Sequence, residues 1–190
     1  MVESILPILI LLGIIVFFGT AAYAGLKAAP WVPVFKRDIP RIIKLADIKD
    51  DDIVYDLGCG DGRVLVAMAN STPAKRLIGF EISVLPYLWT KGRIIFRGLS
   101  RRVEVAFSDF LRRDLGQASV IFCFLTPMAM KKLAPKFKAE LKPGTRIISY
   151  SFSIPDFIPE AVDKPQPDRM AIYSYRVGAS IPAGGSRRQP

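Results

Sequence analysis

The sequence predicts an α/β fold: a doubly wound, mostly parallel sheet preceded by a transmembrane helix. Three observations carry this. Ile53 to Leu57 is a short apolar run followed by Gly58-Cys59-Gly60-Asp61-Gly62 and then a helical pattern from Arg63 to Ala69. Strand-like and helix-like stretches alternate from there to Phe152, the pattern of parallel strands joined by crossover helices. Ahead of them, Ile5 to Leu26 carries no charged residue, and a helix needs about 20 apolar residues to cross a bilayer core.

The N-terminal run is followed by Lys27, Lys36 and Arg37, which by the positive-inside rule places the remainder of a single-pass protein on the cytoplasmic side. Cleavage at Ala22-Tyr23-Ala24 is disfavoured. The segment before the apolar run holds Glu3 and no Lys or Arg, and the run is too long for a signal peptide. The expected organisation is an anchor over 1–27, a proline-stiffened linker over 28–38, one domain over 39–178 and a disordered Gly/Ser/Arg tail over 179–190.

Within the domain, Pro40 suits the first turn of a helix reaching Ala46, with Asp38 as N-cap. Arg76 to Phe80 reads as a second strand closed by Glu81. A helix with Ser83 as N-cap and Pro86 in its first turn follows, and then a strand over Val103 to Phe107. The dozen residues before Val120 leave room for one short helical turn. Val120 to Leu125 is a continuous apolar run, as a strand buried on both faces requires. Pro127 opens a helix that Pro135 is expected to kink. Arg146 to Phe152 is the fifth strand, and Met170 to Val177 alternates as a further strand, antiparallel if so.

Composition narrows the chemistry. There is no histidine, which excludes Ser-His-Asp and Cys-His nucleophiles and histidine-ligated metals, and no metal is expected. Cys59 and Cys123 are expected reduced, as in a cytosolic protein. The net charge is +10, which in an anchored protein fits an anionic lipid surface. The scattered basic residues lack the interleaved aromatics of a nucleic-acid platform, so nucleic acid is not an expected partner.

The glycine turn lets backbone approach a ligand closely, and the helix after it presents free N–H groups to an anionic moiety. A ligand with a carboxylate and an adenosine suits it. The third glycine of a dinucleotide fingerprint is Arg63 here, and no P-loop string is present. Glu81, at the end of the second strand, stands where an acid accepts both ribose hydroxyls. Asp56-Leu57-Gly58-Cys59-Gly60-Asp61-Gly62 resembles the first motif of the seven-strand, Rossmann-like S-adenosylmethionine (SAM) methyltransferases. The resemblance implies SAM as cofactor. It implies that Asp56 holds the turn or meets the cofactor's amino group, and that Asp109, after Ser108, accepts from the adenine amino group. Gly58, Gly60, Asp61 and Ser108 complete the expected cofactor set.

From Pro40 to Pro159 the chain further resembles the membrane-anchored lysine methyltransferases of the ATP synthase c-subunit and the adenine nucleotide carrier. The shared features are the apolar N-terminus, Tyr55 to Gly62, Glu81, Pro127 and Arg146 to Phe152. Cys59 replaces the usual Ser, and Ser83-Val84-Leu85-Pro86 replaces an Asn-Pro-Trp-like run. This implies a lysine acceptor in a membrane protein at the bilayer. A lipid or quinone headgroup acceptor, or a non-catalytic scaffold with a residual SAM pocket, is the alternative. Asn/Asp-Pro-Pro-Tyr, frequent after strand four where bases or amides are methylated, is absent; Phe124-Leu125-Thr126-Pro127 stands there. Phe124, Thr126, Tyr150 and Phe152 are the candidate channel for an aliphatic amine. No catalytic base is identified. A lysine ammonium can lose its proton to water in a desolvated channel before attack.

Overall fold

The computed structural model describes residues 2–27 and 32–178, with side chains on the N-terminal helix described at 5–15 and 19–20. The helices are α1 (Val2–Lys27), α2 (Ile39–Ala46), α3 (Arg63–Ser71), α4 (Val84–Phe96) and α5 (Pro127–Glu140). The strands are β1 (Ile53–Leu57), β2 (Arg76–Glu81), β3 (Val103–Phe107), β4 (Val120–Cys123), β5 (Arg146–Tyr150), β6 (Ala161–Asp163) and β7 (Ile172–Arg176). They form one sheet in the order β3-β2-β1-β4-β5-β7-β6. β1 to β5 are parallel; β7 runs antiparallel to both β5 and β6. The order reverses between β1 and β4, and the cleft beyond the carboxyl ends of strands at such a reversal is where ligands bind.

β4 is buried on both faces, as its unbroken apolar composition requires, with no exposed residue over Val120–Cys123. One face packs Ile42, Leu65, Met68 and Ile94 from α2, α3 and α4; the other packs Met130, Leu133 and Phe137 from α5 with Tyr175. α2 ends on Asp47 in the left-handed conformation. A 3-10 turn at Phe110–Arg112 is the short connection expected before β4.

Pro135 lies inside α5, which runs unbroken from Pro127 to Glu140; it and Lys131, whose carbonyl it deprives of its helical partner, are exposed, so water can take that carbonyl. β6 was not expected in the proline-crowded stretch after β5; its three residues pair with the outer edge of β7. At the N-terminus the expected helix is present, but among the described residues no helix is long and apolar enough to cross a membrane. The tail, 179–190, and linker residues 28–31 lie outside the described residues.

Candidate active site

A cavity of about 910 Å³ opens at the carboxyl ends of β1, β2 and β4, within the size range of small-molecule sites. Its floor is the glycine turn. Gly58, Gly60 and Gly62 all have positive φ, 78°, 55° and 70°, so side chains there would be strained. Thr90 of α4 locks the turn from behind: its hydroxyl donates to the Gly60 carbonyl at 2.8 Å. A Cβ on Gly62 would lie 2.5 Å from Thr90 Cγ2. Cys59 is buried against β2, where a Cβ on Gly79 would meet its Sγ at 2.6 Å. Both cysteines are free and buried, and burial pushes each thiol's pKa up.

Four expected acids, Asp56, Asp61, Glu81 and Asp109, line the cavity in differing states. Asp56 is buried, and among the described residues no donor draws on its carboxylate. Burial first, then the charges of Glu81 and Asp61, raise its pKa to about 8. It is a site for a cation. Glu81 is tied to the backbone. Its Oε2 accepts from Gly60 N–H at 2.9 Å, and its Oε1 from Ile82 and Ser83 N–H at 2.8 and 2.7 Å. Two carboxylate oxygens offer about four acceptor positions, so capacity remains for a ligand hydroxyl. Asp109 caps the 3-10 turn through Oδ1, accepting from Leu111 N–H at 2.9 Å, which leaves Oδ2 for a ligand.

Asp61 also lines the cavity, but its carboxylate is clasped by Arg63 at 2.9 Å and Arg93 at 3.4 Å. Burial pushes its pKa up, and the hydrogen bonds and charge of Arg63 with the charge of Arg93 more than offset this, leaving it below the usual range. Arg63 also donates to the Val34 carbonyl at 3.0 Å, so this acid binds the linker to the turn. Ser108 is not on the cavity wall; its hydroxyl accepts from Arg113 Nε at 2.6 Å.

Of the four channel residues, the structure brings only Phe124 to the cavity. Tyr150 lies behind it, its ring edge-on to Phe124 at 4.9 Å, and its hydroxyl donates to Asp38 Oδ2 at 2.7 Å. Thr126 caps α5, accepting from Ala129 N–H. Phe152, past the end of β5, is not on the wall. β4 ends at Cys123 and β5 at Tyr150, so Thr126 and Phe152 lie beyond the paired strands and follow the turns that leave them. The expected cap at Asp38 is also displaced: its carboxylate makes no cap bond and is spent on Tyr150, Arg41 and Arg169.

The sequence reading missed much of the remaining wall. Val32, Pro33 and Val34 of the linker and Leu85, Pro86, Leu88 and Trp89 of α4 close one side, and Thr20 of α1 also borders the cavity. The exposed apolar spacing of α4 was the available signal for its part.

These residues fit SAM. The turn is bare backbone, Asp56 awaits a cation, Glu81 and Asp109 keep free acceptor positions, and Phe80, Phe110, Phe122 and Leu125 give an apolar surround. Among the described residues no cluster suits a metal.

Comparison with known proteins agrees. The model of the ANTKMT methyltransferase domain matches residues 56–161. A protein-lysine N-methyltransferase of Saccharolobus islandicus (strain REY15A) is 34% identical over 151 residues, covering 78% of this chain and 94% of that protein. The adenine nucleotide translocase lysine N-methyltransferase of Mus musculus is 30% identical over 162 residues, covering 83% of this chain and 67% of that protein. Among solved structures, an RNA methyltransferase from Salinibacter ruber in complex with S-adenosyl-L-homocysteine superposes with a TM-score of 0.73 at 29% identity, covering 80% of this chain and 97% of that one.

Proposed function

Because this chain belongs to the ANTKMT methyltransferase family and is a SAM-dependent methyltransferase, we propose that its acceptor is a lysine side chain of a membrane protein. The observation that carries the lysine is the 34% identity to a protein-lysine N-methyltransferase that the chain matches over 94% of its length. The cavity is compatible with it: the aromatic rings of Phe122 and Phe124 border the space beside the glycine turn. The uncharged run from Ile5 to Leu26 supports a membrane anchor, with the domain on the cytoplasmic side by the charge rule.

SAM supplies a methyl group already activated by its sulfonium. The chain then needs to align the acceptor and exclude water. The glycine turn, fixed by Thr90 and by Glu81's grip on Gly60 N–H, holds its shape before any ligand arrives. Asp56 offers a carboxylate that becomes fully ionised once a cation stands beside it. Phe124, braced by Tyr150, and the wall of α4 and linker residues keep the space apolar. That lowers the pKa of an entering ammonium and favours the neutral amine.

The test supplies methyl-labelled SAM to the full-length protein with membranes of its own source. Label recovered as methyl-lysine from a membrane protein is the expected result. Label in organic-solvent extract moves the acceptor to a lipid or quinone headgroup. Label in nuclease-sensitive material moves it to RNA, the acceptor class named for the Salinibacter ruber protein.

A further inference from the structure

We propose that the exposed face of α4 seats in the surface of an anionic bilayer and sets the cavity mouth at headgroup depth. The inference shares with the proposed function the premise that the domain works at a membrane, but it does not require α1 to cross one.

Leu85, Leu88, Trp89, Ile95 and Phe96 are all more than half exposed, Phe96 at 92%. At 100° per residue they share one arc of about 120° with Gly92 at its middle, and a Cβ on Gly92 would meet nothing within 4 Å. The opposite face, with Thr90 and Ile94, is buried against the glycine turn and the core. The stripe stays more than half exposed with every described element in place. α1, whose described residues 5–15 are also exposed and apolar, packs against the same helix.

Charge selects the occupant. From Ile82 to Val103 the chain has Lys91, Arg93, Arg97, Arg101 and Arg102 and no acid. Arg93 is paired with Asp61, and Arg102 donates to the Ala69 carbonyl. Lys91, Arg97 and Arg101 are exposed and, among the described residues, have no ion-pair partner. An apolar stripe with cations beside it and no acids is the pattern of a helix lying in the interface of an anionic membrane. Trp89 sits where indole rings favour the headgroup level. Leu85, Leu88 and Trp89 belong both to this stripe and to the cavity wall, so a seated helix places the mouth against the lipid.

The chain has two tryptophans, Trp31 and Trp89, so full-length Trp31→Phe protein reports Trp89 alone. It is mixed with phosphatidylcholine vesicles containing phosphatidylglycerol, with acyl chains either brominated or not. The expected result is loss of more than half of the Trp89 emission in the brominated vesicles. That loss should vanish in the Ile95→Asp/Phe96→Asp variant, which lies off the cavity wall and should bind SAM with unchanged affinity by calorimetry. Alkaline-carbonate washing of the same vesicles reads α1 separately. Carbonate-resistant association with unquenched Trp89 overturns the α4 proposal and leaves the anchor standing. Quenching with complete carbonate extraction upholds α4 and removes the anchor. Quenching that needs native membrane protein also overturns the proposal, since the occupant is then a protein.

Discussion

Gly62 has no space for a side chain, and its backbone lies at φ 70°. Gly62→Ala should therefore cost about 1–3 kcal/mol of stability and abolish SAM binding, read by thermal unfolding and calorimetry on one sample. Asp56 yields a second residue-scale prediction. Its pKa is about 8 when folded and about 4 unfolded, so between these values the folded chain holds a proton that the unfolded chain lacks. Its stability contribution is full below pH 4 and is lost as pH rises to 8. A cation beside Asp56 drives that proton off. SAM binding near pH 7 should release a proton, seen as a dependence of calorimetric heat on buffer ionisation enthalpy, and Asp56→Asn should remove it. Asp56, Gly58, Gly60 and Glu81 were legible because the turn is one unbroken string whose backbone geometry only that string provides. The Arg63–Asp61–Arg93 clasp and Thr90 were not, because they are meetings between α4 and the turn that no local spacing encodes.

Among the elements, α2 is held to the C-terminal strands by a buried acid. Asp38 accepts from Tyr150 at 2.7 Å, Arg41 at 2.9 Å and Arg169 at 3.1 Å, while Arg41 reaches on to Asp163 of β6 at 3.0 Å. Burial pushes the Asp38 pKa up, and these partners more than offset it, so its contribution persists above pH 4 and fails as pH falls below its lowered value. Removing one member of a buried charged set typically costs about 3–5 kcal/mol. Asp38→Asn should cost near the lower figure in urea unfolding, with Tyr150→Phe costing less because Asp38 keeps both arginines. Sequence placed Asp38 at a helix start and Tyr150 in a channel. Asp38 does stand at the start of α2, but Tyr150 lies behind the cavity wall, because the partner of its hydroxyl comes from more than a hundred residues away. The parallel core was readable because β4 is a continuous apolar run and β1 and β2 are apolar but for Asp56 and the strand-end Arg76 and Glu81. β6 was not, since three half-exposed residues among prolines carry no periodicity.

At the scale of the molecule, the sheet reverses between β1 and β4 and so concentrates the ends of β1, β2 and β4 on one cavity. The excess of +10 charge is largely solvated. Any association it drives with an anionic surface should weaken as salt shortens the screening length below about 10 Å. The strand order also has a consequence for how the chain is made. β1 to β5 can pair in the order in which they leave the ribosome, but β6 is synthesised before β7 and attaches only to it. Until residue 176 has emerged, the outer edge of β5, with Ile147 and Ile148 fully buried in the finished fold, stands open beside a strand with nothing to join. Open apolar edges recruit other chains. A chain halted after Lys164 should resist extraction by mild detergent, whereas one carried through Gly178 should be extracted.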